Sequence, residues 1–142
     1  MAKKAKNLEA VQEALTWLGT PYHHQGRVKG VGVDCGTLIC EVYEKVGLIP
    51  HIPSPKNYSL DWHLHQTKQI YLEHVKQWCY QVYEPQPGDI VLYQFGKCIS
   101  HGAIVIEWPT IIHANLRCGV ILQDSSKGSL ARHMAGFFRL KD

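Results

Sequence analysis

Cys35 has the setting of a nucleophile. Val33-Asp34-Cys35-Gly36-Thr37-Leu38 leads into an apolar stretch of helical period, which sets the thiol at a helix start. A free thiol has a pKa of about 8.5, and the N–H groups and dipole of a helix N-terminus lower it. Gly36 carries no side chain and leaves access to the sulfur. Ser100-His101-Gly102-Ala103-Ile104-Val105-Ile106 reads as a strand, and His101 at its start suits a base. Ile111-Ile112-His113-Ala114 reads as the next strand. A hairpin turning near Trp108-Pro109 sets His113 beside His101 across the ladder, or one residue off. One imidazole can then orient the other. Nucleophile, base and orienter are the parts of a cysteine hydrolase.

Each residue has a plainer reading beside this one. Cys35 can be a buried structural thiol, and the chain's nine His make chance pairings common. Asp34 suits a helix N-cap as well as a substrate contact. Tyr22 can be a packed aromatic. Trp62, His63 and His65 can edge a cleft or belong to a helix surface and core. One Cys with two His also suits zinc, which takes three protein ligands and a water in catalytic sites. A thiol at a helix start is an unusual ligand and no carboxylate supports the set, so neither metal nor cofactor is expected.

The elements that must position these residues follow from the pattern. Asn7 reads as an N-cap, and Leu8, Val11, Leu15 and Leu18 as an apolar helical face stopped by Gly19. Residues 20–32 read as a glycine-rich loop. Leu38, Ile39, Val42, Tyr43 and Val46 form the stripe of a second helix that ends at Gly47. Residues 49–56 hold three prolines and read as irregular. A third helix is expected over about 60–78. Pro85-Gln86-Pro87-Gly88-Asp89 is a break. Strands are then expected over 90–94, 102–107, 110–115 and 119–123, a helical turn over 129–134 and a closing strand over 136–140. Helices followed by a meander predict an α+β domain, with N-terminal helices packed on one antiparallel sheet of about five strands.

Composition is consistent with a single domain over residues 1–142. The chain is 45% hydrophobic and 19% charged, with net charge +3. The basic residues are scattered apart from Lys3, Lys4 and Lys6, so no nucleic-acid partner is expected. No apolar run is long enough to span a membrane. The basic start is not followed by the apolar segment of a signal peptide, so synthesis and folding in the cytoplasm are expected. Five Cys at irregular spacing form no C-x-x-C pair. Cys40, Cys79 and Cys98 lie among apolar residues and read as buried thiols.

Five segments, taken in order, resemble the NlpC-type cysteine peptidases of bacterial cell-wall metabolism, a branch of the papain-like superfamily. They are Gly19-Thr20-Pro21-Tyr22, Asp34-Cys35 with Leu38, Pro87-Gly88-Asp89-Ile90, His101-Gly102-Ala103-Ile104 and Ile112-His113-Ala114. The resemblance implies a papain-like NlpC-type fold and cleavage of peptidoglycan stem peptides, usually between γ-D-glutamate and a diamino acid. It implies Cys35 as nucleophile, His101 as base and His113 as orienter, acting through an acyl-enzyme. Tyr22, Asp34 and Gly36 would line the substrate site. The compact form resembles versions among phage and prophage tail proteins, which implies tail proteins as partners and a virion location. Two departures bear on specificity: Gly36-Thr37 stands where the family commonly has Ser-Gly, and His23-His24-Gln25-Gly26 replaces its aromatic-Gly-Gly pattern. The rival readings are a catalytically inactive tail-assembly protein on this fold, and another thiol acyltransferase or amidase.

Overall fold

The computed structural model describes residues 2–51 and 75–141. The first helix, α1, runs Ala2–Leu15. It begins before Asn7, because the Ala and Lys residues ahead of Asn7 are strong helix formers and carry the helix past it. Asn7 is therefore an interior residue, not a cap. The buried face is also rotated from the expected one. Ala10, Ala14 and Trp17 point inward, whereas Leu8 is 48% and Leu18 43% exposed. Two alanines let α1 lie close, and Trp17 supplies the apolar area. The helix tightens through three i→i−3 bonds at Thr16, Trp17 and Leu18 before Gly19, whose positive φ ends it as expected.

Two short strands lie inside the expected loop. β1 (Arg27–Val28) and β2 (Gly32–Val33) form a small antiparallel hairpin. Its path is tight: a Cβ on Gly26 would lie 2.7 Å from the Gly32 carbonyl. Arg27 fastens the hairpin to the next helix through Glu41 and Glu44, at 2.9 and 2.8 Å. That helix, α2, spans Cys35–Lys45 and buries Leu38, Ile39, Val42 and Tyr43, four of the five expected stripe positions. The expected third helix over 60–78 lies outside the described residues except for 75–78, which are helical. Trp62, His63, His65 and residues 52–56 are also outside.

The remaining strands make one sheet. They are β3 (Cys79–Val82), β4 (Ile90–Phe95), β5 (Cys98–Glu107), β6 (Thr110–Asn115), β7 (Gly119–Asp124) and β8 (Met134–Leu140). A short helix, α3 (Gly128–His133), precedes β8 where a helical turn was expected. The order is β3-β8-β4-β5-β6-β7, and every pairing is antiparallel. The sheet thus has six strands rather than about five. The additional one, β3, buries only Cys79 fully and shows no clean alternation. The last strand does not close an edge; it inserts between β3 and β4.

Alternation divides the strand residues between two apolar clusters. Ile90, Leu92, Ile104, Ile112, Ala114, Val120 and Phe138 pack with Ala10, Ala14, Trp17 and the α2 stripe. Val91, Tyr93, Ala103, Val105 and Ile111 pack with Leu130 of α3, Trp108 and Phe137. The Pro87-Gly88-Asp89-Ile90 segment locks β4 in place. Asp89 is fully buried and takes a two-pronged ion pair from Arg139 of β8 at 2.8 and 2.9 Å. Gly88, at positive φ, lies where a Cβ would meet the Asn7 carbonyl at 2.8 Å, so a side chain there would push α1 away. Among the described residues no helix is long and apolar enough to cross a membrane.

Candidate active site

Asp34 organises the start of α2. It is the N-cap, in extended conformation, and its side chain accepts from the Thr37 amide at 2.9 Å. Thr37 Oγ1 receives the Asp34 amide at 2.9 Å and donates to the Gly26 carbonyl at 2.6 Å. The second Asp34 oxygen accepts from the Gln25 amide at 2.8 Å. Thr37 therefore completes the capping box that Glu or Gln usually completes. Asp34 is only 3% exposed, so its carboxylate is occupied in holding the loop and helix together.

Cys35 is the first residue of α2 and is half-buried, beside a half-buried Gly36. Its Sγ lies 3.8 Å from the carbonyl of Ser100, the residue immediately before His101. Tyr22 joins this end of the helix. It forms an isolated parallel bridge with Val33, and the Val33 amide donates to Pro21 at 3.1 Å. Burial pushes the Tyr22 phenol above its ordinary pKa, and the neighbouring Cys35 and Asp34 push it the same way. Tyr22 thus keeps its proton at neutral pH and offers a hydroxyl donor.

The imidazoles meet by a different register from the expected one. Glu107 and Thr110 flank the turn, and the irregularity between Val105 and Glu107 sets Ile104 opposite Ile112. That frame places His113 level with Ala103, so His101 is its diagonal neighbour, two residues along β5. Diagonal neighbours on one face remain within reach of long side chains. His101 Nε2 and His113 Nδ1 are 2.8 Å apart, with the rings edge-on at 5.0 Å. Tyr93 and Phe95 lie 5.7 and 6.1 Å from the His101 ring. Burial lowers the His101 pKa to about 3, and the adjacent His113 adds to the shift. Burial also lowers that of His113, against a hydrogen bond donated to Gln123 that works the other way. Both rings are neutral at pH 7, which leaves each with one nitrogen that can act as a hydrogen-bond acceptor.

Gln123 is the residue that sequence reasoning missed. Its Oε1 lies 2.8 Å from His113 Nε2. Asn115 and Gly119 face each other at the turn between β6 and β7, and this fixes Gln123 opposite Ile111, diagonal to His113. The turn residues Leu116-Arg117-Cys118-Gly119 were the available signal.

Cys79 and Cys98 are buried as expected, Cys40 is half-buried and Cys118 is exposed. Burial raises Cys40 to about 11, so it stays a thiol at neutral pH.

No curated protein matches the chain. Among solved structures, a lipoprotein-like NLP/P60 family protein from Staphylococcus aureus is 24% identical with a TM-score of 0.68, covering 96% of this chain and 41% of that one. An NlpC/P60 family protein from Bacillus cereus is 20% identical with a TM-score of 0.66, covering 94% and 40%. The NlpC/p60 domain of the peptidoglycan hydrolase SagA is 19% identical with a TM-score of 0.61, covering 96% and 98%. The chain spans less than half the length of the first two and nearly all of the third. At these identities the likeness is one of fold, a helix-and-sheet arrangement of papain-like type. The sequence itself matches the NlpC/P60 family over residues 19–139, and the chain belongs to that family.

Proposed function

We propose that this protein is a cysteine peptidase that hydrolyses peptidoglycan stem peptides, at the bond between γ-D-glutamate and the diamino acid. The observation that carries the reading is the approach of a capped helix-start thiol to the strand that bears His101, one of a pair of neutral imidazoles: Cys35 Sγ lies 3.8 Å from the Ser100 carbonyl, next to His101. Family membership and the fold shared with a peptidoglycan hydrolase domain support the substrate class.

Sγ exchanges the Ser100 carbonyl for His101 Nδ1, a side-chain rotation of the kind that tightens on substrate binding. Nδ1 takes the thiol proton as sulfur attacks the scissile carbonyl carbon. The oxyanion faces the Cys35 amide at the α2 start, since the Thr37 amide of the same turn is held by Asp34. Loss of one such donor costs about 3 kcal/mol of barrier. His101 returns its proton to the leaving amine, leaving a thioester on Cys35. Water then attacks, with His101 again as base, and the acid departs. His113 holds the His101 ring throughout.

The supporting roles differ in kind. Tyr22 contributes a hydroxyl beside the sulfur, to hold the substrate or the oxyanion. Gly36 leaves room for the peptide. We assign Asp34 mainly to positioning, since its carboxylate already caps α2 and grips Gln25. A phage or prophage tail setting rests on the sequence resemblance alone, and immunodetection of the protein in purified tails or virions tests it.

The decisive experiment is digestion of purified muropeptides with mass spectrometry of the fragments. The expected products are cut after γ-D-glutamate and disappear with Cys35→Ala. Intact muropeptides, together with a Cys35 that alkylates no faster than an ordinary thiol, overturn the reading in favour of an inactive assembly protein. Alkylation must be assigned by peptide mapping, because Cys118 is exposed.

A further inference from the structure

The sheet carries a longer chain of polar side chains than a nucleophile, base and orienter require. His101 on β5, His113 on β6 and Gln123 on β7 are linked by two 2.8 Å contacts. The three strands are adjacent in the sheet, and both links join diagonal neighbours. We infer that Gln123 is a positioning residue of the proposed active site, fixing through His113 which nitrogen of His101 carries the proton. This rests on the reading of His101 as the base.

Hydrogen-bond direction along the three side chains sets the tautomers. Gln123 presents its carbonyl oxygen, Oε1, which can only accept. His113 Nε2 must therefore carry the hydrogen. A neutral imidazole has one N–H, so His113 Nδ1 is left with a lone pair. That lone pair accepts from His101, whose hydrogen must then sit on Nε2. His101 Nδ1 is consequently an acceptor, the state a general base needs. If Gln123 were removed, His113 could take either tautomer. In the reversed chain His113 Nδ1–H donates to His101 Nε2, and His101 presents Nδ1–H, which cannot accept the thiol proton. The burial that keeps both rings neutral makes the choice matter, because a charged ring donates from both nitrogens.

Position explains why one glutamine suffices. β7 is an edge strand of the sheet, and Gln123 is exposed. Its oxygen closes the open end of the chain, where water would otherwise bond to His113 Nε2. A glutamine held with Oε1 toward the ring sets a direction that a freely turning water does not.

The test uses the full chain with Gln123→Leu and Gln123→Glu. Ionised glutamate has no donor, so it preserves the direction while adding a charge that favours imidazolium. With muropeptide substrate, Gln123→Leu is expected to lower kcat about 10-fold to 100-fold with KM nearly unchanged. Gln123→Glu is expected to keep kcat within about threefold at pH 8 and to move the acid limb of the pH profile upward. Nitrogen-15 NMR of the histidine rings reads the tautomers without any substrate. The expected spectrum has His101 and His113 protonated on Nε2 in the wild type, and a mixture in Gln123→Leu. Cleavage failure with this spectrum would sink the peptidase reading and leave the tautomer inference standing. Unchanged tautomers in Gln123→Leu, or equal losses of kcat in the two variants, would overturn the inference.

Discussion

Around Cys35 the polar groups are locked between Gln25 and Thr37, whereas His101, His113 and Gln123 are held by contacts that cross three strands. The first arrangement is local. A buried aspartate, a threonine and two backbone segments determine where the helix begins, and hence where the sulfur sits. The second is an outcome of sheet register. A slip of one residue on β6 would turn His113 to the opposite face and break both links. The nucleophile is thus robust to changes in the sheet, and the base is robust to changes in the loop. Catalysis on the proposed route needs both.

Variants and conditions can separate the two arrangements. Cys35→Ala and His101→Ala should each lower muropeptide cleavage by about a thousandfold or more, the scale of losing a nucleophile or its base. Denaturation midpoints should distinguish them: Cys35→Ala leaves the sheet links whole, and His101→Ala removes one.

Acid should act on the strand arrangement first. Both imidazoles have folded pKa values below the unfolded value of about 6.5, with His101 at about 3. The unfolded chain therefore binds more protons, and stability falls as pH drops below about 6.5 toward 3. The slope reaches at most about 1.4 kcal/mol per pH unit for each imidazole. Urea midpoints measured from pH 7 to pH 4 should show the loss, and His101→Gln should flatten it. An equal slope in that variant would locate the acid sensitivity elsewhere.

The loop arrangement should respond to Asp34. Asp34→Ala removes the cap and the Gln25 contact and should cost about 2 kcal/mol. Asp34→Asn can still cap through its carbonyl but offers no second acceptor to Gln25, so it should cost about half as much. Thermal melts of the two variants test this. The smallest effect is expected at Gln25, which adopts a φ of 62°. Gln25→Gly relieves that conformation but loosens the unfolded chain, for a net gain under about 1 kcal/mol.

The sequence showed the local arrangement more readily than the distant one. Asp34 as a cap, the α2 stripe and the glycine stops at 19 and 47 depend on residues a few positions apart, and the structure agrees. The break at 85–89 and the four strands that follow it were also readable from alternation. The exchange of Asn7 for an earlier helix start reflects the helix propensity of Ala and Lys outweighing a good capping residue. β3 was hidden because an edge strand with one buried residue leaves little pattern. The pairing of His101 with His113 was expected as direct or one residue off; the turn that sets Glu107 opposite Thr110 moves His113 further along β5, and the shift between Val105 and Glu107 returns it to the His101 face as a diagonal neighbour. Gln123 was missed because its role depends on two successive registers, and an exposed glutamine on a strand carries no mark of function.

The placement of β8 has a consequence for how the protein is made. Its residues 134–140 lie between β3 and β4, which are separated from each other only by a short stretch of chain. Until that segment leaves the ribosome, β4 has a bare flank and β3 has no ladder at all. Arg139 also arrives in the same segment, so the buried Asp89 waits for its counter-charge. A nascent chain halted before Met134 should therefore remain protease-sensitive and prone to pairing with other strands, and completion of the last seven-residue strand should mark the moment the sheet closes.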